Sequence, residues 1–283
     1  MMTEQVVYLN GQFVPLSQAS VSVLDRGFIF GDGIYEVIPV YQRKMFRPQQ
    51  HLERLTRSLA SVGIDNIYSN EQWLQIIANL MEKSEGSDLL VYIQVTRGVA
   101  KRAHAFPLNT KPTVFIMVNA ISGPSKEMRE RGVACVTMQD MRWLHCDIKS
   151  TSLLGNVLAA QNAAQHSALE TIQFRDGFLT EASSSNVWIV KNQTLLGPQK
   201  NNLVLEGIRY GLFEELCAKH EIPFEMRAIA QDEVFSADEV LLSSATKEIL
   251  PVTLIDSKQV GLGKPGPMYA KLYAIYQEAK VQH

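Results

Sequence analysis

Apolar and polar residues alternate along this chain with two periods, one of two residues and one of three to four, and the first stretch alternates by two. Val6-Val7-Tyr8-Leu9 and Gln12-Phe13-Val14 flank Asn10-Gly11, a dipeptide that reverses a strand at little steric cost, so Val6–Leu16 is expected to form a β-hairpin. Ser22–Val40 reads as a glycine-rich bend (Arg26-Gly27, Gly31-Asp32-Gly33) feeding the strand Ile34–Val40, with Tyr35 and Val37 on one face. Pro48 opens a helix with Leu52, Leu55, Leu59 and Val62 on one side, ending near Gly63. A second helix follows over Glu71–Lys83, then the β-branched strands Leu89–Thr96 and Thr113–Val118. The small, polar stretch Asn119–Ser125, broken by Gly123-Pro124, is the expected linker.

Beyond it, Gly132–Met138 reads as a strand, and Leu154, Val157, Leu158 and Gln161 mark a helix running to about His166. The strand Glu170–Arg175 meets an Asp176-Gly177 turn, after which Ser183-Ser184-Ser185 interrupts strand-like residues between Phe178 and Val190. Leu203–Ile208 leads into a helix with Ile208, Leu212 and Leu216 on one face, Val240–Ile249 is a strand opening into hydroxylated residues, and an amphipathic helix runs from Pro267 to Lys280. Two domains are expected, residues 1–118 and 126–283, joined by 119–125. No repeat or low-complexity tract interrupts them.

Composition narrows the function more than the fold. The 283 residues, 46% hydrophobic and 20% charged, are those of an ordinary globular protein, and a formal net charge of −2 gives no reason to expect nucleic acid or an anionic membrane as partner. Cys135, Cys146 and Cys217 are odd in number and show no ligand spacing, which argues against a disulfide framework and a metal site. The opening Met-Met-Thr-Glu-Gln has no basic leader, and no apolar run approaches the ~20 residues that span a bilayer. A cytoplasmic protein acting on small molecules is the expectation.

The candidate chemistry centres on Lys149. It stands where Trp143, Leu144 and Ile148 give way to Ser150-Thr151-Ser152 and the next helix. In partly apolar surroundings a lysine amine can be freed to condense with an aldehyde. By itself it is more often one more solvated lysine. Downstream, the turn at Gly207-Ile208-Arg209 opens a helix whose free N–H groups form a natural phosphate seat. Ser243-Ser244-Ala245-Thr246 repeats the device, a strand opening into small hydroxylated residues. A candidate imine-forming lysine with two such turns points to a phosphorylated aldehyde, pyridoxal 5′-phosphate. Arg97, Lys101, Arg102 and His104 lie on one short loop, ordinarily an exposed turn, which in an enzyme could clamp a carboxylate.

Phe30-Gly31-Asp32-Gly33-Ile34-Tyr35-Glu36-Val37, Cys146-Asp147-Ile148-Lys149-Ser150 and Leu179-Thr180-Glu181-Ala182-Ser183-Ser184-Ser185-Asn186-Val187 together resemble the class IV, or fold-type IV, pyridoxal-phosphate aminotransferases, over nearly the whole chain. Within that group, Gln94–Gly98, Arg102–Pro107 and Arg142-Trp143-Leu144 are most similar to the enzymes acting on D-amino acids. The resemblance implies an α/β (α+β) protein, with an N-terminal α/β sandwich and a C-terminal mixed, barrel-like domain carrying Lys149. It implies that Lys149 holds the cofactor as an imine and shuttles the substrate proton, and that Glu181 keeps the pyridine nitrogen protonated. Arg54, Ser184, Gly207, Ile208, Arg209, Ser244, Ala245 and Thr246 belong to the implied cofactor site, with Leu205 against the ring. Tyr35 touches the substrate side, and Arg102 with His104 traps the α-carboxylate in a homodimer. The family usually has hydroxyls where Arg209 and Ala245 stand, so phosphate contacts there fall to backbone N–H groups, Thr246 or the Arg209 side chain.

The expected reaction is amino transfer from a D-amino acid such as D-alanine to 2-oxoglutarate in a ping-pong cycle. A branched-chain L-amino-acid aminotransferase and a lyase of the aminodeoxychorismate type are the alternatives within the family. A catalytically silent pyridoxal-phosphate carrier is the alternative outside it, opposed by the joint presence of Lys149, Glu181 and Tyr35.

Overall fold

Asn10 and Gly11 take φ values of 48° and 94°, the left-handed pair that a two-residue turn needs, and join β1 (Val6–Leu9) to β2 (Gln12–Pro15) in register. The computed structural model describes residues 4–282, so most of the opening stretch read for a leader lies outside the described residues. The chain divides into two units, residues 4–121 with Ile148–Leu153, and Ser122–Asp147 with Leu154–Gln282.

In the first unit the hairpin is followed by α1 (Arg26–Phe30), β3 (Gly33–Tyr41), β4 (Lys44–Met45), α2 (Pro48–Ser61), α3 (Asn70–Glu82), β5 (Leu89–Thr96) and β6 (Thr113–Ala120). The strands form one antiparallel sheet in the order β2-β1-β6-β5-β3-β4. Leu52, Leu55 and Leu59 of α2 and Trp73, Ile77 and Leu80 of α3 bury their apolar stripes against Ile34, Ile38, Val91, Ile93 and Ile116 of the sheet. The bend expected at residues 26–33 contains a short helix: Asp25 caps it by accepting from Gly27 N at 2.8 Å, and Gly31 ends it at φ 65°.

The second unit contains α4 (Lys126–Arg131), β7 (Val133–Gln139), α5 (Leu154–Gln165), β8 (Glu170–Arg175), β9 (Phe178–Ala182), β10 (Asn186–Lys191), β11 (Thr194–Pro198), α6 (Ile208–Lys219), β12 (Phe224–Arg227), α7 (Gln231–Phe235), β13 (Glu239–Ser244), β14 (Glu248–Ile255), β15 (Lys258–Gln259) and α8 (Pro267–Gln282). Its mixed sheet runs β12-β11-β10-β13-β14-β7-β8-β9, parallel at β11/β12, β14/β7 and β7/β8. The core is built from Ile172, Val187, Ile189, Val240, Leu242 and Leu250 with their neighbours. The two units together make the α/β architecture that the resemblance implies. Among the described residues no helix is long and apolar enough to cross a membrane.

Two features differ from expectation. Helix α5 buries Ala159 and Ala163, while Leu154, Val157 and Leu158, its apolar stripe, are 71%, 58% and 51% exposed. Small residues let the helix approach β8 closely, and Thr171 Oγ1 donates to Ala159 O at 2.6 Å, so the apolar stripe is left outside. The lysine segment, expected in the C-terminal domain, groups as Ile148–Leu153 with the first unit. The cause is an open edge: β4 covers only the far end of β3, and residues 149–151 pair with its near end. Tyr35 N donates to Lys149 O at 3.0 Å and Thr151 N to Gly33 O at 2.9 Å, while Thr151 Oγ1 and Ser152 Oγ donate to Gly31 O at 2.9 and 3.1 Å.

Candidate active site

Pairing with β3 places the half-buried Lys149 beside Tyr35, with Nζ 4.1 Å from the Tyr35 ring centroid. Tyr35 in turn stacks on Tyr92 at 5.9 Å, and burial with the neighbouring Tyr35 pushes the Tyr92 phenol up to about 12. Lysine and tyrosine thus meet, on an extended segment five residues before α5.

On the opposite face of β3, Glu36 falls among Ile34 and Ile38 and is fully buried. Arg54 reaches it from α2, Nε to Oε2 at 2.9 Å and Nη2 to Oε1 at 2.7 Å, and His51 Nδ1 lies 2.9 Å from Oε1. Burial raises the Glu36 carboxyl, but the Arg54 and His51 charges outweigh it and hold it well below the usual carboxylate range. Arg54 is therefore a buried arginine oriented by a carboxylate. Glu36 and His51 were not identified from sequence, although a charge on the Ile34/Ile38 face of a strand is the signal that marks them.

Arg102 and His104 project from the loop after β5, both exposed, with the Arg102 guanidinium 5.4 Å and the His104 ring 5.5 Å from the Phe30 ring. The loop is held from below. Arg26 Nη1 donates to Ala103 O at 2.5 Å and Nη2 to His104 O at 3.2 Å, while Arg26 and Arg97 share Asp32. Burial raises the Asp32 carboxyl and the two arginines outweigh it, so it stays charged. Two inner arginines fix the backbone that presents Arg102 and His104.

In the second unit Glu181, on β9, is buried and collects donors from three directions. Arg142 Nη1 is paired with Oε1; Leu205 N and Asn186 Nδ2 donate to Oε2 at 3.1 and 3.2 Å. Asn186 Nδ2 also donates to Leu205 O at 2.9 Å, and a Cβ at Gly207 would overlap Asn186 Oδ1. Only glycine permits that approach. Arg142 is itself anchored: Asp140 accepts from its Nε at 2.9 Å and its Nη2 at 2.8 Å, and from Thr180 Oγ1 at 2.9 Å. Burial raises the Asp140 carboxyl and Arg142 more than compensates; burial lowers Arg142, and Glu181 and Asp140 raise it. Both groups stay charged. The supporting residues Asp140, Arg142 and Asn186 were not assigned roles from sequence, because their partners come from other strands.

Gly207 is the N-cap of α6 and makes no side-chain cap, so the first N–H groups of this twelve-residue helix have no capping side chain. Arg209 is 2% exposed and turned into the core, where Nη2 donates to Tyr276 OH of α8 at 2.9 Å. In the second hydroxylated turn, Ser244 Oγ lies 3.4 Å from Thr246 Oγ1 and accepts from Lys247 N at 3.1 Å, with Ala245 between. Ser184 Oγ donates to Glu170 Oε1 at 2.6 Å and accepts from Lys247 Nζ at 2.9 Å. An uncapped helix N-terminus, a glycine-only approach beside a buried glutamate and a hydroxylated turn fit the phosphate, ring nitrogen and ring edge of a pyridoxal phosphate.

The family model for amino-transferase class IV matches residues 33–255. Over 278 residues the chain is 39% identical to the D-alanine aminotransferase of Staphylococcus aureus, covering 98% of each, and over 273 residues 38% identical to that of Bacillus licheniformis, covering 96% of each. The branched-chain amino acid aminotransferase of Escherichia coli superposes with a TM-score of 0.92 at 21% identity, over 98% of this chain and 94% of that one. The chain belongs to the class IV aminotransferases, enzymes that move amino groups with pyridoxal 5′-phosphate. These two sequence relatives are D-alanine aminotransferases; the E. coli structure shares the fold.

Proposed function

We propose that this enzyme transfers the amino group of a D-amino acid such as D-alanine to 2-oxoglutarate. The observation that carries the reading is the Arg102–His104 loop, with a guanidinium and an imidazole exposed on a backbone clamped by Arg26, where a substrate carboxylate can be taken. The curated relatives named for D-alanine support it.

Bound pyridoxal 5′-phosphate supplies an aldehyde that takes up the amino group and a ring that accepts the electron pair left when a substrate proton departs. Lys149 Nζ would anchor the cofactor and, as a free amine, would take and return the proton of the substrate carbon. Tyr35 packs beside that amine and steadies it. Glu181 holds the proton at the ring nitrogen, and Arg142, Asn186 and Leu205 N keep its carboxylate in place. Arg54, the N–H groups of Ile208 and Arg209, and the Ser244–Thr246 turn with Ser184 would bind the phosphate, and Leu205 would pack against the ring. With its guanidinium on Tyr276, Arg209 contributes its backbone.

The active unit in this reading is a cytoplasmic homodimer. Val23, Leu24 and Phe28 in one unit, and Leu154, Val157 and Leu158 in the other, are exposed apolar residues that a second copy would cover. The three cysteines are free and buried, which suits a reducing compartment.

The deciding experiment is a substrate screen of purified enzyme against both enantiomers with several keto acids. Turnover of D-alanine dependent on 2-oxoglutarate is expected. Preference for L-leucine or L-valine would replace the substrate assignment, and pyruvate release without an acceptor would replace transfer by a lyase reaction. Sedimentation should give twice the chain mass.

A further inference from the structure

Lys247 has no part in the machinery above, yet its side chain is turned inward to a second buried carboxylate. Glu170 opens β8, is fully buried, and accepts from Ser183 Oγ, from Ser184 N at 3.1 Å and Oγ at 2.6 Å, and from Ser185 Oγ at 2.9 Å. Those four donors belong to the Ser183–Ser185 turn and already fill the oxygens of a carboxylate. Lys247 Nζ adds a fifth at 2.7 Å and reaches Ser184 Oγ as well. Burial raises the Glu170 carboxyl, and Lys247 and the serines outweigh it.

The fifth donor comes from a different connection, the one that carries Ser244–Thr246. Lys247 begins where that turn closes, its N–H on Ser244 Oγ. The next residue, Glu248, takes φ 55°, a left-handed conformation uncommon for glutamate, and its carboxylate is held by Arg129 at 2.9 Å, Lys280 at 2.5 Å and Gln277 at 3.2 Å. Glu248 thus fixes the turn from one side, and Lys247 ties it to the serine turn on the other.

We propose that Lys247 is a positioning residue for the cofactor phosphate, holding the Ser244–Thr246 turn against the Ser183–Ser185 turn so that the donors of both are set before the anion arrives. The proposal rests on reading these turns as the phosphate site. A bond needed only for folding would weaken every ligand alike, whereas a bond that aims phosphate donors weakens the phosphorylated ligand selectively.

The test compares apoenzyme of the wild type, Lys247→Met and Lys247→Arg, titrated with pyridoxal 5′-phosphate and with unphosphorylated pyridoxal and followed by visible absorbance. Lys247→Met should bind the phosphate ester about tenfold more weakly or worse and pyridoxal within about twofold of wild type, with Lys247→Arg recovering most of the loss. Unchanged affinity for the ester, or equal loss for both ligands, overturns the proposal. Because Lys247→Met leaves the buried Glu170 charge without its cationic partner, the double variant Glu170→Gln/Lys247→Met is titrated in parallel; it should show the same selective loss, and an unselective one overturns the proposal. A wild type that takes up neither ligand would instead overturn the site itself.

Discussion

Each unit contains a buried arginine meeting a strand glutamate, and the two pairs are built in opposite senses. In the first, Glu36 is the inner member: it sits in the apolar face of β3 and orients Arg54, the residue assigned to the ligand. In the second, Arg142 is the inner member, braced by Asp140, and it orients Glu181, the residue assigned to the ligand. In the proposed reading the same kind of ion pair serves a phosphate in one case and a ring nitrogen in the other. The charge turned toward the ligand is opposite to the ligand's own, and the buried counter-charge supplies the aim.

Substitutions on the two sides should therefore separate. Glu181→Gln should leave the fold intact and lower kcat by about a hundred- to a thousandfold, because the proton at the ring nitrogen loses its charged partner; the first half-reaction with D-alanine, followed by the cofactor's spectrum, measures it. Glu36→Gln should act through stability, since it leaves Arg54 and His51 buried without their counter-charge. A loss of about 3–5 kcal/mol read from denaturant midpoints is expected, with kcat of the surviving folded enzyme within about tenfold. If Glu36→Gln behaved like Glu181→Gln, the contrast would fail. Arg142→Lys keeps the charge and loses the planar fork spanning Asp140 and Glu181, so kcat should fall about tenfold with cofactor still bound.

The smallest effect is shared by both units. Burial raises Glu36, Asp140, Glu170 and Glu248, and their basic partners hold all four below their ordinary values. Carboxyls depressed in the folded state contribute stability that is complete above the unfolded values, 4.5 for glutamate and 3.8 for aspartate, and is lost as pH falls below them. Thermal midpoints should be flat from neutrality to about pH 5 and drop steeply below it; Glu36→Gln should shallow that drop.

Periodic elements were legible in the sequence. The stripe of α2, the strands β5 and β8 and the hairpin about Asn10-Gly11 all lie where the pattern puts them, because each carries a local signal along the chain. The short helices α1 and α4 have no such repeat; Asp25 and Ser125, their caps, were the available signs. The α5 stripe misled because apolar residues identify a face without saying what covers it, and alanines took the inner one. At the candidate site, Lys149, Tyr35, Glu181 and Leu205 were named from motifs, and the structure adds that Lys149 lies beside Tyr35 and that Leu205 N meets Glu181. The partners that aim them, Glu36 with His51, Asp140 with Arg142, and Lys247 with Glu170, come together only when separate elements pack, and no spacing along the chain announces them.

The covalent assignment of Lys149 carries the rest. Enzyme loaded with pyridoxal 5′-phosphate, reduced with borohydride, digested and mapped by mass spectrometry should carry the pyridoxyl phosphate mass on the peptide containing Lys149 and on no other lysine. Label on another lysine, Lys247 included, or a loaded enzyme that cannot be labelled at all, would contradict it.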